Sequence, residues 1–389
     1  MGRSSGKLPS FLFNDSAKGL LVTSKYVLDS LSMWPENQNW FAKFMHCFYL
    51  LSSVYFMYGN LYFVFTSTDV GGITYGLTVS GVIIECVIRR ILMYAYRGRV
   101  NKLLLDVYSL FWPSTINGDE QHKQLGKEAR YLLLYCIAYS LSALTATMMY
   151  IIMPMSTMNT PYLTSYPFQW RKNPYYSLLY AWEGFCFMET VSTVCSWNMF
   201  FASLGYNLVA QFKLLNTHIK QNFLENRGNL AKQKIFVTNC VLHHYTILNS
   251  SKELNEILYY FTLSLFLSSI QTCCLSAFVV TAVPELNIFG TFYFLGHACQ
   301  LFLYCYLGSE LALESMELST TVYMCGWETS GTDKDLRRAL GMIMMRSQKP
   351  VQLSAGGFGY LHLSSFMKIL QFSFSIYTLL NTMAQKGLL

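Results

Sequence analysis

The feature that most constrains this chain is where its basic residues lie. Lys and Arg are absent from 44 to 88, 131 to 170, 173 to 212, 253 to 333 and 369 to 385, and crowd into the segments between. A helix needs about 20 apolar residues to cross the hydrocarbon core of a bilayer, so these tracts read as membrane spans. Composition agrees: 13% of the 389 residues are charged, about half the roughly 25% of an average soluble protein. With 53% apolar residues the chain is also far too hydrophobic to be disordered.

Seven spans follow. The first tract breaks at Thr66-Ser67-Thr68-Asp69-Val70-Gly71-Gly72, a turn-type cluster, giving helices at 40 to 66 and 71 to 96. A third runs from 129 to 154 and stops at Pro154, before a loop rich in Pro, Tyr, Ser and Thr. The fourth, 175 to 212, would be ~57 Å long at 1.5 Å per residue, so one end should project into water. Spans at 255 to 282 and 287 to 312 are separated by Val283-Pro284-Glu285-Leu286 and form a helical hairpin. The last, within 357 to 385, carries Lys368, and the residues after that lysine form its membrane portion.

The basic residues also orient the bundle. With the N-terminus inside, the inner segments 1 to 39, 97 to 130, 213 to 256 and 313 to 356 hold 21 of the 28 Lys and Arg, against three (Arg171, Lys172, Lys386) outside. The net charge of +7 is therefore a cytoplasmic feature and gives no reason to invoke nucleic acid. The expected fold is an all-α, seven-transmembrane helix bundle with a cytoplasmic N-terminus and an extracellular C-terminus. No apolar h-region of a cleavable signal peptide is visible in 1 to 39.

No enzyme site stands out, and neither a catalytic residue, a cofactor nor a metal is expected. The chain lacks a Walker A loop, H-E-x-x-H and a dinucleotide fingerprint. His243-His244 is the densest histidine feature, but neighbours on a helix point to different faces, which favours a structural role over metal ligation. Gly356-Gly357-Phe358-Gly359-Tyr360 resembles the glycine-aromatic-glycine of potassium filters yet lacks the Thr-Val prefix, so it reads as a turn before the last span. Asn173-Pro174-Tyr175-Tyr176 lacks the final Tyr of the Asn-Pro-x-x-Tyr string of G-protein-coupled receptors, and an inside N-terminus opposes that class.

Ionisable groups within spans are costly and point to structural or functional partners. Glu85 and Arg89 stand at i and i+4, the spacing at which one helix face neutralises itself. Glu183 and Glu189 have no basic neighbour in sequence; they face a wet cavity, extend a vestibule field for cations, or simply hydrogen-bond to Tyr or Trp neighbours. The outer halves of spans two, three, four and six carry Tyr75, Met148, Met149, Tyr180, Phe187, Met188, Phe289, Tyr293 and Phe294. Apolar walls with a few hydroxyls suit a small apolar ligand, and all of these except Phe289 are taken as the ligand-binding candidates. Lipid-facing aromatics have the same composition.

From about 300 onward the sequence resembles the insect odorant receptors. The carrying residues are Tyr304-Cys305-Tyr306-Leu307-Gly308-Ser309-Glu310, Glu314-Ser315, Tyr323, Trp327, Arg346-Ser347-Gln348-Lys349-Pro350, Ser354-Ala355-Gly356, Phe366 and Ser373-Phe374-Ser375-Ile376-Tyr377-Thr378-Leu379-Leu380. Phe374 replaces a common Tyr. The second inner loop of about 44 residues is shorter than in the family's co-receptor, so the chain is similar to a ligand-tuned subunit.

The resemblance implies a non-selective cation channel, opened by a volatile organic molecule and assembled as a heterotetramer with the odorant co-receptor in the plasma membrane of olfactory sensory neurons, on dendritic cilia. It implies a cytoplasmic segment 1 to 39, membrane helices one to four over 40 to 212, an anchor loop at 213 to 256, and helices five and six over 257 to 312. A cytoplasmic anchor at 313 to 368 and a pore helix with a short outer tail at 369 to 389 complete the plan. On the matching motif Leu379 lies on the gate-bearing stretch. Met383, one turn on, shares its face, and the pair would block ions by dewetting, with Thr382 as a polar lining. A gustatory receptor of the same superfamily is the nearest alternative; a transporter would need an inverted repeat and broken helices, which the chain lacks.

Overall fold

A computed structural model describes residues 16–37, 39–152, 164–168, 175–223, 225, 229–282, 287–329 and 333–386. These form ten α-helices: α1 (Ser16–Ser30), α2 (Trp40–Thr66), α3 (Val70–Ala95), α4 (Arg97–Ser109), α5 (Asp119–Ile152), α6 (Tyr175–Asn222), α7 (Leu230–Ala282), α8 (Asn287–Tyr323), α9 (Lys334–Ser347) and α10 (Leu363–Gln385). The break expected near residue 69 is a helix start. The Asp69 carboxylate accepts the Gly72 amide at 2.7 Å, satisfying one of the free N–H groups of the first turn of α3. The expected reversal at 283 to 286 lies outside the described residues, between the end of α7 and the start of α8.

Among the described residues six helices are long and apolar enough to cross a membrane: α2, α3, α5, α7, α8 and α10. The seventh long helix, α6, is not one of them, and its surroundings explain why. Every residue from Thr193 to Phe212 is buried, so α6 is the central post of the bundle and meets protein on all sides. Such a helix can carry Ser203, Asn207 and Gln211, whose polar groups find partners in its own turns or in α4's neighbour Trp112. Lipid-facing helices have no such freedom.

Three helices far exceed a bilayer. α6, α7 and α8 have 48, 53 and 37 residues, or ~72, ~80 and ~56 Å at 1.5 Å per residue. The sequence reading treats 213 to 256 as an anchor loop, but most of it is helix, continuing α6 to Asn222 and starting α7 at Leu230. Lys220, Lys232, Lys234 and Lys252 lie on helix faces turned to solvent, while Leu214, Leu215, Val237 and Ile247 bury the opposite faces. With α1, α4 and α9 these extensions build the main core. The N-terminal segment is part of it: Leu20, Leu21 and Leu28 of α1 are at most 3% exposed.

The non-helical stretch before α10 is clamped by the residues that carry the family resemblance. Ser315 Oγ accepts the Val351 amide at 2.9 Å, and Ser309 Oγ accepts that of Leu363 at 2.9 Å. Gly356 and Gly357 turn the chain with φ of +61° and +80°, a region that favours glycine. A Cβ on Gly308 would run into the carbonyl of Leu361. The glycine-aromatic-glycine string is thus a tight turn, closed by Ala355 N–H to Gly359 O at 2.8 Å.

Candidate functional site

A cavity of about 420 Å³ lies between α3, α5, α6 and α8. Small residues make the room: Ala138, Ser142, Ala143 and Ala146 of α5 face Gly296 of α8 across it. Phe187, Val191 and Val194 of α6 and Phe292 and Tyr293 of α8 supply apolar walls. At one end Tyr150 gathers an aromatic cluster, its ring 4.2 Å from Phe289, 5.8 Å from Tyr293, 5.9 Å from Phe187 and 6.2 Å from Tyr75. Such arrangements add about 0.5–1.5 kcal/mol per aromatic pair beyond their burial.

The opposite end is polar. Glu85, His297, Gln300 and Tyr139 line it. Arg89 Nη2 pairs with Glu85 Oε2 at 2.6 Å, with both side chains at most 1% exposed. Gln300 Nε2 donates to the same oxygen at 2.9 Å, Ser268 Oγ donates to the other, and Tyr139 Oη donates to Gln300 Oε1 at 3.2 Å. The Arg89 guanidinium lies over the Phe261 ring at 5.1 Å. A buried charge pair is tolerated only when hydrogen bonds satisfy what remains of each partner, and here residues of α5, α7 and α8 contribute to the carboxylate's surroundings.

A second buried pair stands beside it. Arg90 Nε donates to Glu189 Oε1 at 2.7 Å, and Ser53 and Thr193 donate to the same carboxylate at 2.9 Å each. The remaining acidic group, Glu183, accepts from Thr164 at 2.6 Å and Tyr166 at 3.0 Å. Sequence reasoning found the Glu85 and Arg89 pair, because both lie on one helix, but left Glu189 without its cation on α3.

Of the eight ligand candidates read from sequence, Phe187 and Tyr293 line the cavity, and Tyr75 lies behind Tyr150 and Tyr293. Met148 and Met149 do not reach it; they are 46% and 51% exposed on the outer face of α5. Tyr180 is buried elsewhere, against Tyr176 and Tyr166, and donates to the Ile151 carbonyl. Met188 and Phe294 are half-buried and also lie off the cavity. The face of α5 that does reach it runs Tyr139, Ala143, Ala146, Tyr150, a spacing of one helix face that sets two small residues between two aromatic ones and was the signal to follow.

On α10, Leu379 is 60% exposed, Thr382 exposed and Met383 half-buried. Only Ile369 and Ser373 of this helix are buried, and Ser373 Oγ reaches the Ile270 carbonyl of α7 at 3.5 Å. Far from the cavity, His243 stacks on Trp112 at 3.9 Å and His244 meets Phe212 at 6.2 Å. Burial pushes His243 down to about 3, aided by His218 and His244. Burial likewise pushes His244 down to about 4, aided by Arg346. Both are neutral packing residues. Among the described residues no three His, Cys, Asp or Glu side chains gather as a metal site.

Comparison with known proteins matches residues 69–374 to the family model of the 7tm odorant receptors. Odorant receptor 85b of Drosophila melanogaster is 26% identical over 296 residues, covering 72% of this chain and 75% of that protein. Odorant receptor 85c of the same species is 28% identical over 226 residues, 57% of each chain. The fold matches the structure of the insect olfactory receptor OR5 from Machilis hrabei in complex with eugenol, with a TM-score of 0.77 at 15% identity over 95% of this chain and 100% of that one.

Proposed function

The chain belongs to the 7tm odorant receptor family, and from that premise we propose that it is the ligand-tuned subunit of an insect odorant-gated, non-selective cation channel. It is a multi-pass, seven-helix membrane receptor and not an enzyme. The observation that carries the proposal is the apolar cavity between α3, α5, α6 and α8, about 420 Å³, within the ~300–1,000 Å³ range of small-molecule sites. A volatile organic molecule binds there, with Phe187 and Tyr293 in contact and Tyr75 supporting the aromatic end. Each methylene it buries contributes about 0.8 kcal/mol.

Binding opens the pore only by the difference in affinity between closed and open arrangements. The cavity's polar end is joined to α7 through Ser268, and α7 is the helix on which α10 rests at Ser373. That continuity supports α10 as the moving element. In a tetramer with the odorant co-receptor the exposed face of α10 turns to the four-fold axis, where Leu379 and Met383 form an apolar constriction and Thr382 a polar lining. The basic residues in the inner segments favour a cytoplasmic N-terminus, with the extensions of α6, α7 and α8 as the cytoplasmic anchor. The site of action is the plasma membrane of olfactory sensory neurons, at the dendritic cilia.

The test is co-expression with the co-receptor and recording against volatile esters, alcohols and aromatics. Leu379→Asp should raise resting leak, since a charge wets an apolar gate; unchanged leak, block and evoked current would remove Leu379 from the gate.

A further inference from the structure

The cavity is closed at both ends and open along one side. The rings gathered on Tyr150 close the end nearest the C-terminus of α5, where Tyr150 and Phe187 are at most 4% exposed. The buried network of Glu85, Arg89 and Gln300 fills the other end. Between them the α6 wall of Phe187, Val191, Val194 and Cys195 is buried throughout. The lining residues that are exposed are Ala138 and Ser142 of α5 and Phe292 and Leu295 of α8. A side chain that both lines a cavity and is exposed marks where the cavity meets its surroundings, and all four lie on the seam between two helices.

That seam sits at the depth of lipid. Ser142 lies ten residues before the end of α5 at Ile152, and Leu295 eight residues after the start of α8 at Asn287. At 1.5 Å per residue these are ~15 and ~12 Å from the helix ends, close to the middle of a hydrocarbon core ~30 Å thick. Only 17% of the most apolar stretch of α5 is buried within the chain, so this span presents most of its surface to the bilayer. None of the four seam residues is ionisable, and Ala138, Ser142 and Gly296 leave room between the helices.

We propose that ligands reach the cavity sideways out of the bilayer, through a window between α5 and α8 framed by Ala138, Ser142, Phe292 and Leu295. This rests on the cavity being the ligand site, as proposed above. The window makes the membrane the reservoir from which the receptor samples, so uncharged, lipid-soluble molecules are selected before any contact in the cavity is made. Each added methylene raises the concentration of a ligand in the bilayer about fourfold. Entry from water carries no such gain, because its association rate is set by diffusion and docking.

The probes are two homologous series, the n-alcohols and the n-alkyl acetates. Onset and washout of binding are followed by stopped-flow intrinsic fluorescence on the full chain co-purified with the co-receptor in lipid nanodiscs, and onset and washout of current by rapid perfusion of cells expressing both. At a fixed aqueous concentration the onset rate constant should rise about threefold to fourfold per methylene until the chain outgrows the cavity. Leu295→Trp and Ser142→Phe raise the barrier at the window, which slows entry and exit by the same factor, about threefold or more, with Kd within about twofold. Met149→Trp, on the outer face of α5, should leave both rates as they are. Onset rates independent of chain length overturn the inference. So do window variants that leave both rates unchanged, as they would if a neighbouring subunit covered the seam, or that change washout and Kd alone, as ligand-contacting residues would. Binding that follows the predicted rates without current upholds the window and contradicts the channel; two series with neither binding nor current contradict both.

Discussion

Arg90 of α3 and Glu189 of α6 form an ion pair 99 residues apart in sequence, with side chains no more than 2% exposed. Arg90 also donates to Thr193 at 3.0 Å and to the Leu31 carbonyl at 3.4 Å, and its guanidinium lies 4.8 Å from the Tyr49 ring centre. One side chain thus holds together the segment after α1 and helices α2, α3 and α6.

Removing one partner of such a pair strands the other charge, at about 3–5 kcal/mol. Arg90→Met and Glu189→Leu should each sharply reduce folded, surface-expressed receptor. The double variant should recover a large part of it, because two apolar side chains leave no buried charge. Thermal melts of detergent-purified protein measure the difference; a double variant no better than the worse single would mean the pair is not the dominant contact.

At Gly308 a methyl group would meet the Leu361 carbonyl. Backbone on both sides leaves little room to yield, so Gly308→Ala should cost about 1–3 kcal/mol, read as loss of monodisperse protein by size-exclusion chromatography. Gly98, with open space around its Cβ position, is the matched control, and Gly98→Ala should be tolerated.

The two faces of α5 give opposite expectations. Ala146→Leu fills the cavity and should weaken ligand response about tenfold or more, whereas Met149→Ala, on the outer face, should leave potency within about twofold. Dose-response curves of evoked current check both, and a large effect at Met149 would move the ligand site away from this cavity.

His243 gives a pH dependence of stability. Burial holds its folded pKa at about 3, below the ordinary imidazole value of about 6.5, so on acidification the unfolded chain takes up the proton first. Stability is complete above about pH 6.5 and is lost as pH falls toward 3, at up to about 1.4 kcal/mol per pH unit for this group. His244, down at about 4, acts in the same direction. Melting temperature should therefore fall between pH 7.5 and 5, with a shallower slope in His243→Phe, whose ring can keep the Trp112 stack; an unchanged slope would contradict a buried neutral His243.

How much of this was legible in the sequence differs from contact to contact. Glu85 and Arg89 are four residues apart on one helix, so periodicity alone brings them together. Arg90 and Glu189 meet only through the packing of α3 on α6, which no local pattern encodes. The turn at Gly356 and the helix start at Asp69 are local chemistry and were readable. The choice between Met148 or Met149 and Tyr150 was not, because lipid and an apolar cavity accept the same side chains, and hydrophobicity cannot tell the two faces of α5 apart. The helical continuity of α6 and α7 beyond the membrane was hidden for a related reason: their charged outer faces read as loop until Leu214, Val237 and Ile247 are seen to bury the inner ones.

The central claim is that a small molecule in the cavity opens an ion pore in this receptor's own assembly. The most direct measurement is the current in excised patches from cells expressing this chain with the co-receptor, on rapid application of a volatile panel with no nucleotide present. Cation current should rise within milliseconds and be reduced for cavity-filling Ala146→Leu. Current that requires GTP, or that appears equally with the co-receptor alone, would contradict it.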